Sequence, residues 1–378
     1  MSHNEGALSG GALIGMGSFG CVFNPSLRCP GEKSGQKEVV SKVFFTKDGK
    51  KELRDEFKIS SLIKSIKGYE KWAEVWFKKC KPSEYHKIYE DDPEIEDCLE
   101  ENNIDKHDFN NIRMMMQGHY GGLTFADHVT RQFTRSIFSS AKEFTKEFMK
   151  IMKSMKPLFI GIKELYKHEI GHNDIKNENI VIDSKGCRLI DFGFASRFTD
   201  KKFYKTRSSL EFATDRIYPP YPYEFIYLYA TTEVLEENDK QDLRYDINRS
   251  LHDRYKMVHE AYFKRETKQY LKNLVTVFIE DKPRSSDKSI VSMIDTYSLG
   301  MVFPYTLCKL AKKYGKMKTL QRYNEAKGIK SFVDLFKHMT DPDARNRMGP
   351  TDVYDKYCEL EKLYLQGGHA STKRTKRK

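Results

Sequence analysis

The stretch that decides the fold reads His172-Asn173-Asp174-Ile175-Lys176-Asn177-Glu178-Asn179, with Asp191-Phe192-Gly193 beginning 12 residues after Asn179. A carboxylate such as Asp174 can accept a hydroxyl proton, and an ammonium such as Lys176 can neutralise a phosphoryl group in transit. Asn179 and Asp191 offer the hard oxygen ligands that Mg²⁺ takes. Taken singly, each reads as an ordinary polar residue. Between them, Ile180–Ile182 and Arg188–Ile190 read as short strands joined by a hairpin turn, Asp183-Ser184-Lys185-Gly186. All of these residues together, at these spacings, point to phosphoryl chemistry.

Toward the N-terminus stands Gly15-Met16-Gly17-Ser18-Phe19-Gly20-Cys21-Val22. Glycines so spaced let backbone N–H groups approach phosphate oxygens with no side chain intervening. A dinucleotide-binding fingerprint would need a helix directly afterwards. Here Cys21–Phe23 continues as a strand and Asn24-Pro25 forbids a helix. A purely structural glycine turn is the competing reading. Next, Val39-Val40-Ser41-Lys42-Val43 sets a lysine inside an apolar strand. A buried ammonium is costly unless paired, so Lys42 needs an anionic partner. Glu56 is the first choice, on a helix predicted over 48–67 from the spacing of Leu53, Phe57, Ile59, Leu62, Ile63 and Ile66; Glu52, one turn earlier, is the second. Short strands are expected at Ala12–Ile14, Cys21–Phe23, Val39–Phe45 and Ile112–Met116, with a hinge from Gly118 to Gly122.

The second half is mainly helical. Ala141–Lys167 repeats apolar residues at helical spacing, and Asp295–Leu310 is so apolar that it should be buried. Eight acids between 90 and 101 read as a solvated loop.

Across all 378 residues, hydrophobic side chains make up 39% and charged ones 32%, enough apolar content to exclude wholesale disorder. The net charge of +12 favours polyanionic partners without choosing among them. Gly6–Leu27 carries no charge, but its six glycines and sparse apolar residues do not suit lipid, so a soluble protein with no membrane span is expected. Seven scattered cysteines without a Cys-x-x-Cys pair suggest reduced thiols in a reducing, cytoplasmic compartment rather than a disulfide framework or a zinc site.

Taken together, the glycine loop, the Val-x-x-Lys strand, the H-x-D-x-K-x-x-N loop and D-F-G resemble the signature set of a eukaryotic-type protein kinase. Asp295-Thr-Tyr-Ser-Leu-Gly300 resembles the kinase D-x-W-S-x-G helix start, and Asp341-Pro-Asp-Ala-Arg345 the late D-P-x-x-R element. Pro222-Tyr223-Glu224 stands where A-P-E is expected. The likeness covers roughly residues 12–360, and its phrasing is similar to kinases encoded by large nucleocytoplasmic DNA viruses.

The resemblance implies an α+β, bilobal fold. A β-rich N-lobe with one main helix (12–117) and a mainly helical C-lobe (118–366) would follow a loose N-terminus (1–11) and precede a basic tail (367–378), with ATP and Mg²⁺, or Mn²⁺ in its place, in the cleft. Ile14, Gly15, Gly17, Ser18, Gly20 and Val22 would cover the nucleotide, and Lys42, held by Glu56, would bind its α- and β-phosphates. Met116 would be the gatekeeper, with Gln117–His119 the adenine hinge. Asp174 would orient and deprotonate the acceptor hydroxyl, and Lys176 would assist. Asn179 and Asp191 would hold metal. Asp295 would tie the backbone of the catalytic loop, and Glu224 would pair with Arg345. Lys176, two residues past Asp174, is the pattern of Ser/Thr kinases. Protein substrates with Ser or Thr acceptors follow, as does a place in the host cytoplasm or virion.

Three departures stand out. Asn173 replaces the Arg of H-R-D, which normally meets an activation-segment phosphate through charge-assisted bonds. Activity is therefore expected not to depend on phosphorylation of Thr206, Ser208, Ser209 or Thr214. Tyr223 replaces a proline, and the Lys42–Glu56 spacing is short. Residues 225–290 exceed what the fold needs, and read equally as a docking surface or a solvated insertion. Five basic residues in Ala370–Lys378 offer the one route to nucleic acid. A pseudokinase scaffold would lack a Lys, Asp or Gly of the ATP site, and none is missing. A small-molecule kinase would usually lack Lys176 and a full D-F-G.

Overall fold

The computed structural model describes residues 12–17, 20–32, 35–44, 47–82, 99–100, 114–207, 225, 256–266, 268–269, 272, 288–341 and 343–366. The chain divides into two compact units, Met1–Gly122 with Ile190–Ala195, and Leu123–Leu189 with Ser196–Lys378. Outside the described residues lie Ser18, most of the acidic run, Ser208, Ser209, Thr214, Pro222–Glu224, most of 225–290, and both chain ends.

The first unit is built on an antiparallel sheet of β1 (Ala12–Gly17), β2 (Gly20–Asn24), β3 (Val39–Phe44), β4 (Lys78–Cys80) and β5 (Met114–His119), in the order β1-β2-β3-β5-β4. Helix α1 (Lys47–Lys64) follows β3 directly. Alternation along the strands sends Cys21, Phe23, Val43 and Met115 into one apolar cluster with Leu27, Cys29 and Leu99. Phe44 and Met116 join Leu53, Phe57, Trp76 and Met114 in another. Every residue of β3 is buried, as a strand covered on both faces should be.

Two expectations for this unit need correction. Of the hinge expected over 118–122, Gly118 and His119 are strand: β5 pairs with β3 along its whole length, from Phe44↔Met114 to Val39↔His119, and the ladder overrides the turn signal of Gly118, while the division between the units falls at Gly122. The cysteines are not all free thiols. Cys29 and Cys80 form a disulfide, and Cys21 is also disulfide-bonded. The loop after β2 packs back against the sheet through Leu27 and Cys29, which brings cysteines 51 residues apart into bonding range.

The second unit is helical. In chain order it contains β6 (Leu123–Thr124), α2 (Phe125–Ser139), α3 (Ala141–Ser154), α4 (Lys156–Lys167), β7 (Ile170–Gly171), β8 (Ile180–Asp183), β9 (Gly186–Leu189) and β10 (Ser196–Arg197). Then come α5 (Lys201–Arg207), a π-helical turn at Met257–Tyr262, α6 (Lys288–Val291), α7 (Ile294–Lys313), α8 (Met317–Asn324), α9 (Lys327–Met339) and α10 (Pro350–Tyr364). The apolar stretch at 295–310 is α7, buried along nearly its whole length, with Phe303 edge-on to Phe125, Phe133 and Phe148. Ala141–Lys167 is two helices rather than one: Pro157 cannot continue a helix interior and instead occupies the first turn of α4. Thr124 and Ser140 cap α2 and α3 by accepting from Asp127 N–H and Glu143 N–H, each across 3.2 Å. No helix among the described residues is long and apolar enough to cross a membrane.

Candidate functional site

In the first unit, the strand lysine meets two carboxylates. Lys42 Nζ lies 3.0 Å from Glu56 Oε2 and 3.3 Å from Asp191 Oδ1. Its anionic partner on α1 is therefore Glu56. Asp191 arrives because the D-F-G segment belongs to this unit, although it follows Lys42 by 149 residues. Burial alone would lower the Lys42 pKa. Asp191 and then Glu56 more than reverse this, and the ammonium stays protonated. Glu56 is raised, chiefly by burial, with Lys42 opposing and Asp191 reinforcing. Its second oxygen accepts from Trp76 Nε1–H at 2.5 Å.

The glycine residues sit on the first hairpin: Gly15 and Gly17 in β1, Gly20 in β2, with Ile14 half-exposed and Val22 facing Lys42 across the β2–β3 ladder. Gly20 has a structural reason of its own. A Cβ there would stand 1.8 Å from Val43 O, so β3 can pair this closely only with glycine. Met116 is fully buried opposite Lys42. Gln117 is committed to the sheet: its carbonyl accepts from Phe77 N–H at 2.9 Å, and its side-chain amide donates to Leu27 O and Glu32 Oε2, each at 3.0 Å. His119 is exposed at the end of β5.

In the second unit, the loop between β7 and β8 presents Asp174, Lys176 and Asn179. Asp174 Oδ2 accepts from Asn179 Nδ2 at 2.8 Å and lies 3.0 Å from Lys176 Nζ. Asn179, in a 3₁₀ turn at Asn177–Asn179, also donates to the Asp174 carbonyl at 3.0 Å. The loop is anchored from below by Asp295 on α7. Its two oxygens accept from His172 N–H at 2.7 Å and Asn173 N–H at 2.9 Å. Burial raises the Asp295 carboxyl, against the pull of His172 and the two N–H donors. Asn173 adopts positive φ, 63°, with its N–H held by Asp295, and Asp191 is likewise at positive φ, 57°.

Asn179 thus spends its amide N–H group on Asp174, and in the first unit the Asp191 side chain is 42% exposed.

The expected pairing of Glu224 with Arg345 falls on Glu224, which lies outside the described residues; Arg345 itself is exposed. Arg345 forks onto its neighbour Asp343 at the surface, 2.9 and 2.8 Å away. The buried guanidinium is that of Arg347, which donates to Asp341 O and Met293 O and stacks over Tyr297. Arg347 lies two residues past the D-P-x-x-R match and was not singled out. Trp76 and Tyr204 carried no motif and were not singled out; an indole or phenol amid apolar neighbours is their only signal.

Comparison with known proteins agrees with this geometry. Residues 100–219 match the family model for the protein kinase domain. The chain is 37% identical over 70 residues to the serine/threonine-protein kinase PSK1 of Saccharomyces cerevisiae, covering 18% of this chain and 5% of that one. It is 37% identical over 70 residues to the putative serine/threonine-protein kinase 040L of Invertebrate iridescent virus 3, covering 18% and 21%. It is also 42% identical over 69 residues to the human dual specificity mitogen-activated protein kinase kinase 7, covering 16% of each chain. The matches thus span about a fifth or less of these relatives' lengths.

Proposed function

We propose that this chain, which matches the protein kinase domain over residues 100–219 and resembles serine/threonine-protein kinases, transfers the γ-phosphoryl group of ATP to Ser and Thr hydroxyls of protein substrates. The observation that carries this reading is the anchored loop: Asp174 buried, hydrogen-bonded by Asn179, 3.0 Å from Lys176, with its backbone fixed from Asp295. Asp174 accepts the proton of the acceptor hydroxyl as its oxygen attacks phosphorus. Lys176, beside the same carboxylate, neutralises charge on the phosphoryl group in transit. Lys42, kept protonated by Glu56 and Asp191, binds the nucleotide phosphates. Asn179 and Asp191 would hold Mg²⁺, or Mn²⁺, whose contribution is to offset the triphosphate's charge.

The scaffold reading has less support, because Lys42, Asp174 and Asp191 are all present and all bonded. A small-molecule kinase has less still, given Lys176 and the intact Asp191-Phe192-Gly193. The similarity to an iridescent-virus kinase supports assigning the chain to a virus, and with it a place in host cytoplasm or virion. Nucleic-acid contact through the basic tail would be read from the salt dependence of DNA binding by the chain with and without 367–378.

The test is transfer from labelled ATP to generic acidic and basic proteins, comparing wild type with Asp174→Ala. Label on Ser and Thr from wild type alone is expected. Equal labelling by both proteins would remove the enzyme reading.

A further inference from the structure

Glu56 has two carboxylate oxygens, and the fold uses both. Oε2 faces Lys42 at 3.0 Å, and Oε1 accepts from Trp76 Nε1–H at 2.5 Å. Trp76 belongs to neither α1 nor β3. It stands two residues ahead of β4, so its bond ties the helix to the β4–β5 side of the sheet. The indole reaches Glu56 by lying against Gly118 of β5. A Cβ at 118 would stand 2.9 Å from Trp76 Cε3, so any side chain there would push the ring away. Phe44, Leu53, Phe57, Met114 and Met116 pack around it.

A single ion pair leaves a helix free to roll about its axis, because a lysine stem can follow. A second donor from a different element, on the other carboxylate oxygen, fixes the plane of the carboxylate. Hydrogen bonds to charged acceptors are also the stronger kind. We propose that Trp76 is a positioning residue: it holds Glu56, and through Glu56 the Lys42 ammonium, in the arrangement that receives nucleotide phosphates, so that α1 needs no partner protein to stay engaged. The proposal rests on the kinase reading above. The bland alternative is that the indole fills space and its N–H takes the nearest acceptor.

The experiment uses the full ¹⁵N-labelled chain. With two tryptophans it has two indole N–H resonances, and Trp76→Phe identifies one by its loss. Glu56→Gln, which keeps the shape but removes the charge, should move the Trp76 resonance upfield and leave that of Trp72 in place. In steady-state assays Trp76→Phe should lower kcat/KM for ATP about tenfold, with KM for the protein substrate nearly unchanged and the melting temperature lower by about 2–4 °C, so that the protein stays folded at the assay temperature. An unmoved resonance in Glu56→Gln overturns the tie. A moved resonance with kcat/KM of Trp76→Phe within twofold of wild type overturns the positioning role. Failure of the kinase reading is distinguishable, since wild type itself would then transfer nothing; the positioning role falls with it, and the tie is still judged by its resonance.

Discussion

Tyr204 donates its phenolic O–H to Asn173 Oδ1 across 3.3 Å, and both residues are buried. Asn173 occupies the position where the kinase signature has arginine, and Tyr204 lies on α5, in the segment that follows D-F-G. Asn173 also donates to Gly171 O at 3.1 Å. Tyr204 is set among Phe198, Phe225, Val291 and Ile294, and burial lifts its phenol far above the usual range, so it stays neutral. A neutral bond between segment and loop thus stands where a charged arginine would otherwise wait for phosphate.

Transfer should therefore not require modification of the segment. With Thr206, Ser208, Ser209 and Thr214 all replaced by Ala, phosphatase-treated protein is expected to keep its rate within about twofold. Tyr204→Phe should lower kcat several-fold, in line with one lost buried hydrogen bond of about 1 kcal/mol. Initial rates on folded protein decide; an inactive quadruple variant would end the idea.

Asp295→Asn should act on the loop and not on the lysine cluster. It replaces a carboxylate that accepts from both His172 N–H and Asn173 N–H by an amide that must turn one donor toward a donor. A loss of about 2 kcal/mol, or more than tenfold in kcat, is expected. KM for ATP should scarcely move, which steady-state kinetics would check.

Arg347 and Arg345 should separate sharply in stability. Arg347→Ala strips donors from two backbone carbonyls and empties a buried site over Tyr297, for an expected loss of about 3 kcal/mol. Arg345→Ala breaks an exposed pair and should lose under about 1 kcal/mol. Urea midpoints of the two variants would rank them.

Asp183 and the buried Arg188 form a two-pronged pair at 2.9 and 2.7 Å across the β8–β9 hairpin. The Arg188 bond is the main cause that holds the Asp183 carboxyl below its ordinary value. A depressed folded pKa means that this stabilisation is complete above about pH 4 and drains away as pH falls through the folded value. Asp183→Asn should lower the melting temperature at pH 7 and flatten its decline below pH 4.

Opening Cys29–Cys80 should loosen the loop after β2. Bonds closing loops of this order contribute about 2–4 kcal/mol, so reductant should lower the melting temperature by several degrees. Cys29→Ser with Cys80→Ser should melt like the reduced protein and no longer respond to reductant.

The chemistry was legible where its residues are neighbours in the chain. Asp174, Lys176 and Asn179 span six residues, so backbone spacing alone brings them together, and local pattern found α1 and the buried α7. The glycine loop was legible as a pattern yet ambiguous in meaning, since Gly20 is demanded by the approach of Val43 O. The break at Pro157 and the run of strand through Gly118 and His119 were not legible. In the first the apolar period ran on across a proline that starts a new helix, and in the second ladder pairing with β3 outweighed a turn-forming residue.

By itself, then, the amino-acid order determined which functional groups are present, their spacing within each loop, and the kind of fold able to hold them. Tertiary structure alone decided which groups from distant segments touch: Asp191 with Lys42, Trp76 with Glu56, Tyr204 with Asn173, Cys29 with Cys80, and Arg347 rather than Arg345 in the buried site. The reason is physical. Contacts within a loop follow from bond geometry, whereas contacts across 20 to 149 residues follow from sheet register and the packing of whole faces, to which every buried side chain contributes a little and none a readable signature.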